Sequence, residues 1–269
     1  MIKTMVVFAW NGTGQAFKHI HWDATPNFEV LLFNYSGNDA QPQLHPQAYY
    51  DELLSISTEF KGRLMAEVQR YLQHRQELGY VGFFDDDLEI TVSGINRLLR
   101  IAELHNLDAF QPATTPDSFT SHAFTTQLPD TDLAAADWVE IMCPFYRKNI
   151  FDAAAEFFAW NISSYGIDNY AIPFYQKTMG MDRTAVIHAV SVKHLKPVTT
   201  GEKIFSNGLS ARQEGERIRT ELLRRIRIIN QHSGKVFPAD FLKRVYEYRT
   251  FRYNKWKRDL KRWLGFKTT

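Results

Sequence analysis

The chain has a single cysteine, Cys143, so an intrachain disulfide is excluded. That cysteine lies in the apolar run VEIMCPF, where a buried, inert thiol is expected. Nothing resembles a disulfide-stapled secreted scaffold, and a cytoplasmic setting is the natural expectation. No run of about 18 apolar residues is present, so no membrane-spanning helix is expected. The start, MIKTMVVFAW, has one lysine and a short apolar run ending at Asn11-Gly12, which reads as a first strand rather than a signal peptide. Internal repeats and low-complexity tracts are absent. So are a phosphate-binding loop, a dinucleotide fingerprint and a nucleophile elbow, and one cysteine cannot build a cysteine-based zinc site.

Aromatic residues are abundant at 14%, with 20 Phe, 12 Tyr and 6 Trp among 269 residues. They serve either a large core or the walls of a cleft for flat or sugar-like ligands. The net charge of +2 hides a division. Residues 237–269 hold 10 Lys/Arg and 3 Asp/Glu, a charge of +7, and the rest of the chain carries −5.

TMVVFAW, FEVLLFNYS and YVGFF are apolar runs that read as strands, each ended by a turn or polar segment. Residues 49–78 show roughly helical apolar spacing (Leu53, Leu54, Phe60, Leu64, Val68, Leu72), as do Val92 to His105 and Arg212 to Ile229. DAFQPA is expected to be a short strand ended by its proline, WVEIMCPFY strand-like, 149–160 helical, and TAVIHAVSVKHLKPV a strand running to Pro197. Residues 114–132, rich in Ser, Thr and Pro, read as a long loop or hairpin. The expected fold class is α/β: a mainly parallel sheet flanked by helices over residues 1–205, then a helical basic extension over 206–269.

Three aspartates, Asp85, Asp86 and Asp87, follow the third apolar run. In extended backbone Asp85 and Asp87 would share a face, with Asp86 turned away. Like charges held close repel unless a cation sits between them or one is protonated. Hard ions such as Mn²⁺ or Mg²⁺ take carboxylate oxygens and keep positions open for phosphates. In open α/β sheets, ligands bind at the carboxyl ends of strands, where this cluster falls. The alternatives are a solvated acidic turn or a helix N-terminus that favours Asp.

The segment FFDDDLEI resembles the Asp-x-Asp element of GT-A glycosyltransferases. The ordered series GFFDDDLEI, AFQPA, VEIMCPFYRKNIF, SSYGIDNYAI and AVIHAVSVKHLKPV is similar to a glycosyltransferase family of plant-type proteins. That family has an Asp-Glu-Asp cluster and a Trp-Gly-Leu-Asp motif, and the likeness covers about residues 80–200. Here Tyr165-Gly166-Ile167-Asp168 stands in place of Trp-Gly-Leu-Asp. The N-terminal 75 residues match only as a general nucleotide-binding layout, and the C-terminal 65 have no counterpart.

The resemblance implies a metal-dependent hexosyltransferase (class 2.4), of the kind used in polysaccharide biosynthesis. Its donor would be a nucleotide sugar, a UDP-sugar being favoured, and its acceptor a glycan or lipid-linked glycan. Asp85, Asp87 and His194 would hold the metal, with His188 second to His194. Asp85 and Asp86, with Trp10 and Asn11 in the loop after the first strand, would contact the nucleotide. Asp168 would be the base that deprotonates the acceptor hydroxyl in an inverting reaction, and Tyr165 could stack on a sugar ring. Plainer readings stand beside these: Asp168 as a helix N-cap, His194 as a strand-end histidine, Arg147 and Lys148 as surface charges rather than phosphate ligands.

The tail, YEYRTFRYNKWKRDLKRWLGF, interleaves cations with aromatics. If helical, Phe251, Trp256, Leu260, Trp263 and Leu264 form an apolar stripe, so residues 243–266 could lie on an anionic membrane surface. They could equally dock on the body, and a nucleic-acid partner is the least favoured of the three. With the membrane option, the enzyme would be peripheral on the inner face. A nucleotidyltransferase remains the other enzyme reading, although NGTGQAFK is a poor version of the basic glycine-rich loop it needs. A binding module with a structural acidic cluster is the non-enzyme reading.

Overall fold

A computed structural model describes residues 2–198, 201–233 and 237–246. The strands are β1 (Thr4–Trp10), β2 (Ile20–His21), β3 (Glu29–Asn34), β4 (Glu52–Ser55), β5 (Tyr80–Phe84), β6 (Leu88–Thr91), β7 (Ala109–Thr114), β8 (Ala134–Ala135), β9 (Phe145–Arg147) and β10 (Thr184–His194). The helices are α1 (Lys61–Leu72), α2 (Val92–Leu104), α3 (Lys148–Ala153), α4 (Ala155–Ala159), α5 (Ile172–Met179), α6 (Ala211–Ser233) and α7 (Ala239–Tyr246). The strands form one mixed sheet in the order β2-β6-β10-β7-β9-β5-β1-β3-β4, with β8 beside β10. β4, β3, β1 and β5 are mutually parallel, whereas β9 runs antiparallel to both β5 and β7.

Apolar runs become the central strands because both faces of the sheet are covered. β5 is buried at every position, and β1 at all but one. An aromatic spine crosses these strands. Phe8 stacks on Phe84 at 5.4 Å, Phe84 meets Phe145 edge-on, and Phe145 stacks on Phe110 at 5.0 Å. Much of the aromatic content is therefore core. Gly82 makes that spine possible, because a Cβ there would lie 2.2 Å from the Phe145 ring it pairs with. The α2 helix starts on a side-chain cap, Thr91 Oγ1 accepting from the Gly94 amide at 2.9 Å.

Three local expectations are corrected. Leu53 and Leu54 belong to β4 rather than to a helix, and the helix begins only at Lys61. As a sheet-edge strand, β4 is only half-buried, so its pattern mimics helical spacing. Pro112 does not end its strand. It pairs with Ile187, and the register then jumps to Ala113 opposite Ser191, so a bulge in β10 absorbs the missing amide. Of WVEIMCPFY only Phe145 and Tyr146 join the sheet, and the residues before Pro144 form a loop.

The chain divides into two compact units between Ile218 and Arg219. The second contains most of α6 together with α7, where Phe237 and Phe241 pack ring to ring at 5.9 Å. Within it, Arg219 donates to the Val245 carbonyl at 2.9 Å. The tail expectation falls mainly on residues 247–266, outside the described residues. Among the described residues, no helix is long and apolar enough to cross a membrane.

Candidate active site

The carboxyl ends of β1, β3 and β5 lie side by side, since Phe8 pairs with Phe84 and Trp10 with Asn34. Three loops therefore leave the sheet at one edge: Asn11–Gly14, Tyr35–Asn38 and Asp85–Asp87. The first two are bonded together through Asn38 Nδ2, which donates to the Gly12 carbonyl at 3.2 Å. Trp10 is buried and its indole N–H caps the loop by donating to Thr13 O at 3.0 Å. Asn11 is exposed, its side-chain oxygen accepting from the Thr13 amide and hydroxyl. Both side chains thus brace the loop that follows β1.

β5 stops at Phe84, and the three aspartates form the turn into β6 rather than extended backbone. Strand alternation does not govern them, and each carboxylate meets different partners. Asp85 Oδ1 receives Lys61 Nζ at 2.5 Å, and the same ammonium donates to Met142 O at 2.9 Å. Asp86 accepts from the Tyr35 hydroxyl at 2.7 Å. Asp87 Oδ1 lies 3.5 Å from His194 Nε2, and Lys196 sits 3.7 Å from Asp86 and 3.9 Å from Asp87.

His194 reaches Asp87 because β10 runs antiparallel to β6, with His194 opposite Leu88 and the Leu195 amide bonded to Asp87 O. Its Nδ1 lies 2.7 Å from the Phe119 carbonyl. A carbonyl only accepts, so Nδ1 carries a proton and Nε2 faces the Asp87 carboxylate. A neutral ring would aim a lone pair at an anion, and only a cation between them, proton or metal, relieves that. Burial acts to lower the His194 pKa, but Asp87 and the Phe119 carbonyl outweigh it, and the value is raised. Burial likewise pushes Asp87 up, yet His194 and Lys196 hold it below the usual carboxylate range.

One carboxylate and one imidazole make two donors, so a divalent ion here would need further ligands from outside the chain. A backbone carbonyl on the far ring nitrogen is the usual support for a metal-bound histidine. Asp85 is turned to Lys61 instead. Among the described residues, no group of three or more His, Cys, Asp or Glu is gathered closely enough to hold a metal alone. His188 is separate: it is buried in the β10 bulge, its Nδ1 accepting from the Leu128 amide at 3.2 Å.

Asp168 lies in a single π-helical turn, Ile167–Ala171, that leads into α5. It is not an N-cap, because it sits inside that turn. The turn is entered through Gly166 at φ +87°, where a Cβ would stand 3.0 Å from Gly215 Cα. Glu214 of α6 fixes the preceding segment. Its carboxylate, itself buried, accepts from the Ile162 amide at 2.9 Å, the Ser163 amide at 2.7 Å and Asn207 Nδ2 at 2.7 Å. Tyr165 is exposed beside this turn.

Burial raises the Asp168 pKa to about 7, against the pull of the Asn169, Asp168 and Ile141 amides and of Lys61. Glu140, almost fully buried, also rises to about 7, first through burial and then through Asp168. The charges of His194, Asp85 and Lys61 act on it too. Arg147 and Lys148 are elsewhere. Arg147 covers the Tyr80 ring at 4.5 Å and donates to Leu107 O, and Lys148 is buried against Asp152. Lys61, Tyr35 and Lys196 carried no local signal in the sequence, and Glu140 only its acidity within an apolar run.

No family model matches this sequence, and no curated protein does. Among solved structures, residues 1–349 of S. aureus TarS in complex with UDP-GlcNAc align over 92% of this chain and 73% of that one, at 10% identity and a TM-score of 0.50. A longer S. aureus TarS structure aligns over 82% of this chain at 12% identity and a TM-score of 0.47, and this chain spans 40% of its length. A197 from STIV aligns over 72% of this chain and 86% of its own, at 7% identity and a TM-score of 0.41. At such identities the likeness speaks for the fold: a mixed α/β sheet flanked by helices, similar to glycosyltransferase structures.

Proposed function

We propose that this protein is a glycosyltransferase that moves a sugar from a nucleotide-diphosphate donor, UDP-linked in our reading, to a hydroxyl of a glycan or lipid-linked glycan. One observation carries the reading. Asp168, whose carboxyl burial pushes up to about 7, and His194 of the Asp87–His194 pair both act on Glu140, and Asp87 follows the carboxyl end of β5, which runs parallel to β1. The fold likeness to TarS, whose structure holds UDP-GlcNAc, supports the choice of donor. The ordered motifs favour the narrower plant-typified family, and that placement is part of the proposal.

A sugar hydroxyl is a weak nucleophile. Asp168, ionised above neutrality, would take its proton as the oxygen attacks the anomeric carbon, a contribution of roughly 10²–10⁴-fold. The bond to the diphosphate breaks as the new one forms, so a single displacement inverts the anomeric centre. Asp87 and His194 would hold Mn²⁺ or Mg²⁺, whose chemistry is to neutralise charge on the departing diphosphate. Lys61 holds Asp85 and Tyr35 holds Asp86, and Asp86 would contact the nucleotide.

The test is release of UDP from a panel of UDP-sugars with Mn²⁺, in the wild type and in Asp168→Asn. Loss of turnover with retained UDP binding supports the assignment. Retained turnover removes Asp168 as the base.

A further inference from the structure

The turn that carries Asp168 is entered through strained backbone. Ser164 stands at φ +72° and Gly166 at φ +87°, one on each side of Tyr165. A non-glycine residue persists in that region only where its surroundings fix it. Part of the fixing is local. Asn161 Oδ1 accepts from the Ser164 amide at 2.6 Å, and its Nδ2 donates to the Tyr165 carbonyl at 3.1 Å. Ser164 O then accepts from the Ile167 amide at 3.0 Å, and Gly166 O from the Ala171 amide at 2.9 Å. Asp168 lies between those two bonds, so its position follows from where residues 161–166 are held.

The rest of the fixing comes from α6. Ser210 and Gln213 cap the start of that helix reciprocally, the Ser210 amide donating to Gln213 Oε1 at 2.7 Å and the Gln213 amide to Ser210 Oγ at 3.2 Å. That cap sets the first turn and with it Glu214, which is 1% exposed. Both Glu214 oxygens are used: Oε1 accepts from the Ile162 amide and Asn207 Nδ2, and Oε2 from the Ser163 amide. Hydrogen bonds to a carboxylate are among the strong ones, and here two of them hold backbone. The next residue, Gly215, packs on the turn itself, its Cα 3.0 Å from where a Cβ on Gly166 would stand. One compact unit, Met1–Ile218, contains the sheet, the Asp168 turn and these first turns of α6.

Resting on the glycosyltransferase reading above, we propose that Glu214 is a positioning residue: by clamping the Ile162 and Ser163 amides, it sets where the Asp168 carboxylate stands. It acts through Asp168 and has no part in holding the nucleotide. The basic extension expected from residue 206 thus begins with a part of the site.

The experiment uses the full chain with Mn²⁺ and compares the wild type with Glu214→Gln. The substitution keeps the shape but turns an NH₂ toward groups that themselves donate. Four quantities are read: kcat and KM for a UDP-sugar that the wild type turns over, the pH profile of turnover, Kd for UDP, and hydrogen exchange of residues 161–171. The expected result is a kcat roughly tenfold to a hundredfold lower, with KM and the Kd for UDP little changed. The rising limb of the pH profile should move below pH 7, because a loosened turn admits water to Asp168. A mere loss of folded enzyme would lower turnover without moving that limb. Exchange should quicken in 161–171 and stay as in the wild type in 80–91, around the acidic turn. Unchanged exchange overturns the inference. So does quicker exchange with kcat and the limb unchanged, which assigns Glu214 to the scaffold; either result leaves the glycosyltransferase reading intact. A wild type that turns over no UDP-sugar overturns both. Should Glu214→Gln not fold, Asn207→Ala removes one donor from the same carboxylate. The same changes are then expected at smaller size, and their absence overturns the inference.

Discussion

Lys61 Nζ stands 2.5 Å from Asp85 Oδ1, joining the first turn of α1 to the turn that follows β5. The lysine side chain is 9% exposed and the aspartate 31%, so this is a half-buried ion pair rather than a surface one. Burial raises the Asp85 pKa, and Lys61 opposes that rise. The pair ties the acidic turn to a helix of the same unit before any ligand arrives.

Breaking it from one side should therefore cost more than removing both charges. Lys61→Met is expected to lose about 2 kcal/mol of stability, since one partner of a largely buried pair is stranded. Lys61→Met with Asp85→Asn should recover part of that loss. Urea unfolding of the two singles and the double measures the coupling, and strict additivity would show that the contact contributes nothing.

The π-helical turn that carries Asp168 makes a backbone prediction. Gly166→Ala demands a left-handed conformation of a residue with a Cβ and presses that Cβ within 3.0 Å of Gly215. A loss of about 1–3 kcal/mol is expected, together with lower turnover, because the base is displaced with its turn. The neighbouring Gly180, also at positive φ but with nothing within 4 Å, is the control. Gly180→Ala should lower stability by less and leave turnover unchanged.

On the proposed mechanism, Asp168 also sets the pH dependence. Its folded pKa is about 7, above the ordinary 3.8, so the folded state binds this proton more tightly than the unfolded chain. The stability it contributes is present below about pH 4 and is lost as pH rises toward 7. Asp168→Asn should thus gain stability relative to wild type across that window and level off above it. Turnover of the wild type should rise through about pH 7, the limb reporting the Asp168–Glu140 pair rather than either acid alone. Thermal melts and rate profiles over pH 4–9 check both. A flat profile contradicts the assignment.

Much of the fold was legible because β1, β3 and β5 are covered on both faces and so read as unbroken apolar runs. β4 was not, since an edge strand half open to solvent lacks that signature. Pro112 misled for a related reason: its missing amide is absorbed by a bulge in another strand, far away in sequence. In the site, Asp85–Asp87 stood out by being adjacent, and His194 by the strand end it occupies. Their partners Lys61 and Tyr35 gave no sign, because the parallel stacking of β3, β1 and β5 brings Tyr35 to the cluster and the packing of α1 brings Lys61. The polar roles of Glu140 and Glu214 come from burial, which acidity within an apolar or helical stretch does not announce.

The central claim, that the Asp87–His194 pair holds a divalent ion against a nucleotide diphosphate, is tested most directly by thermal melting with UDP and with GDP, each with and without Mn²⁺. Wild type is predicted to gain roughly 5 °C from UDP at about a hundredfold over its Kd, only when Mn²⁺ is present. Asp87→Ala should gain nothing under any of these conditions. Melting that neither nucleotide shifts in either protein would contradict the account.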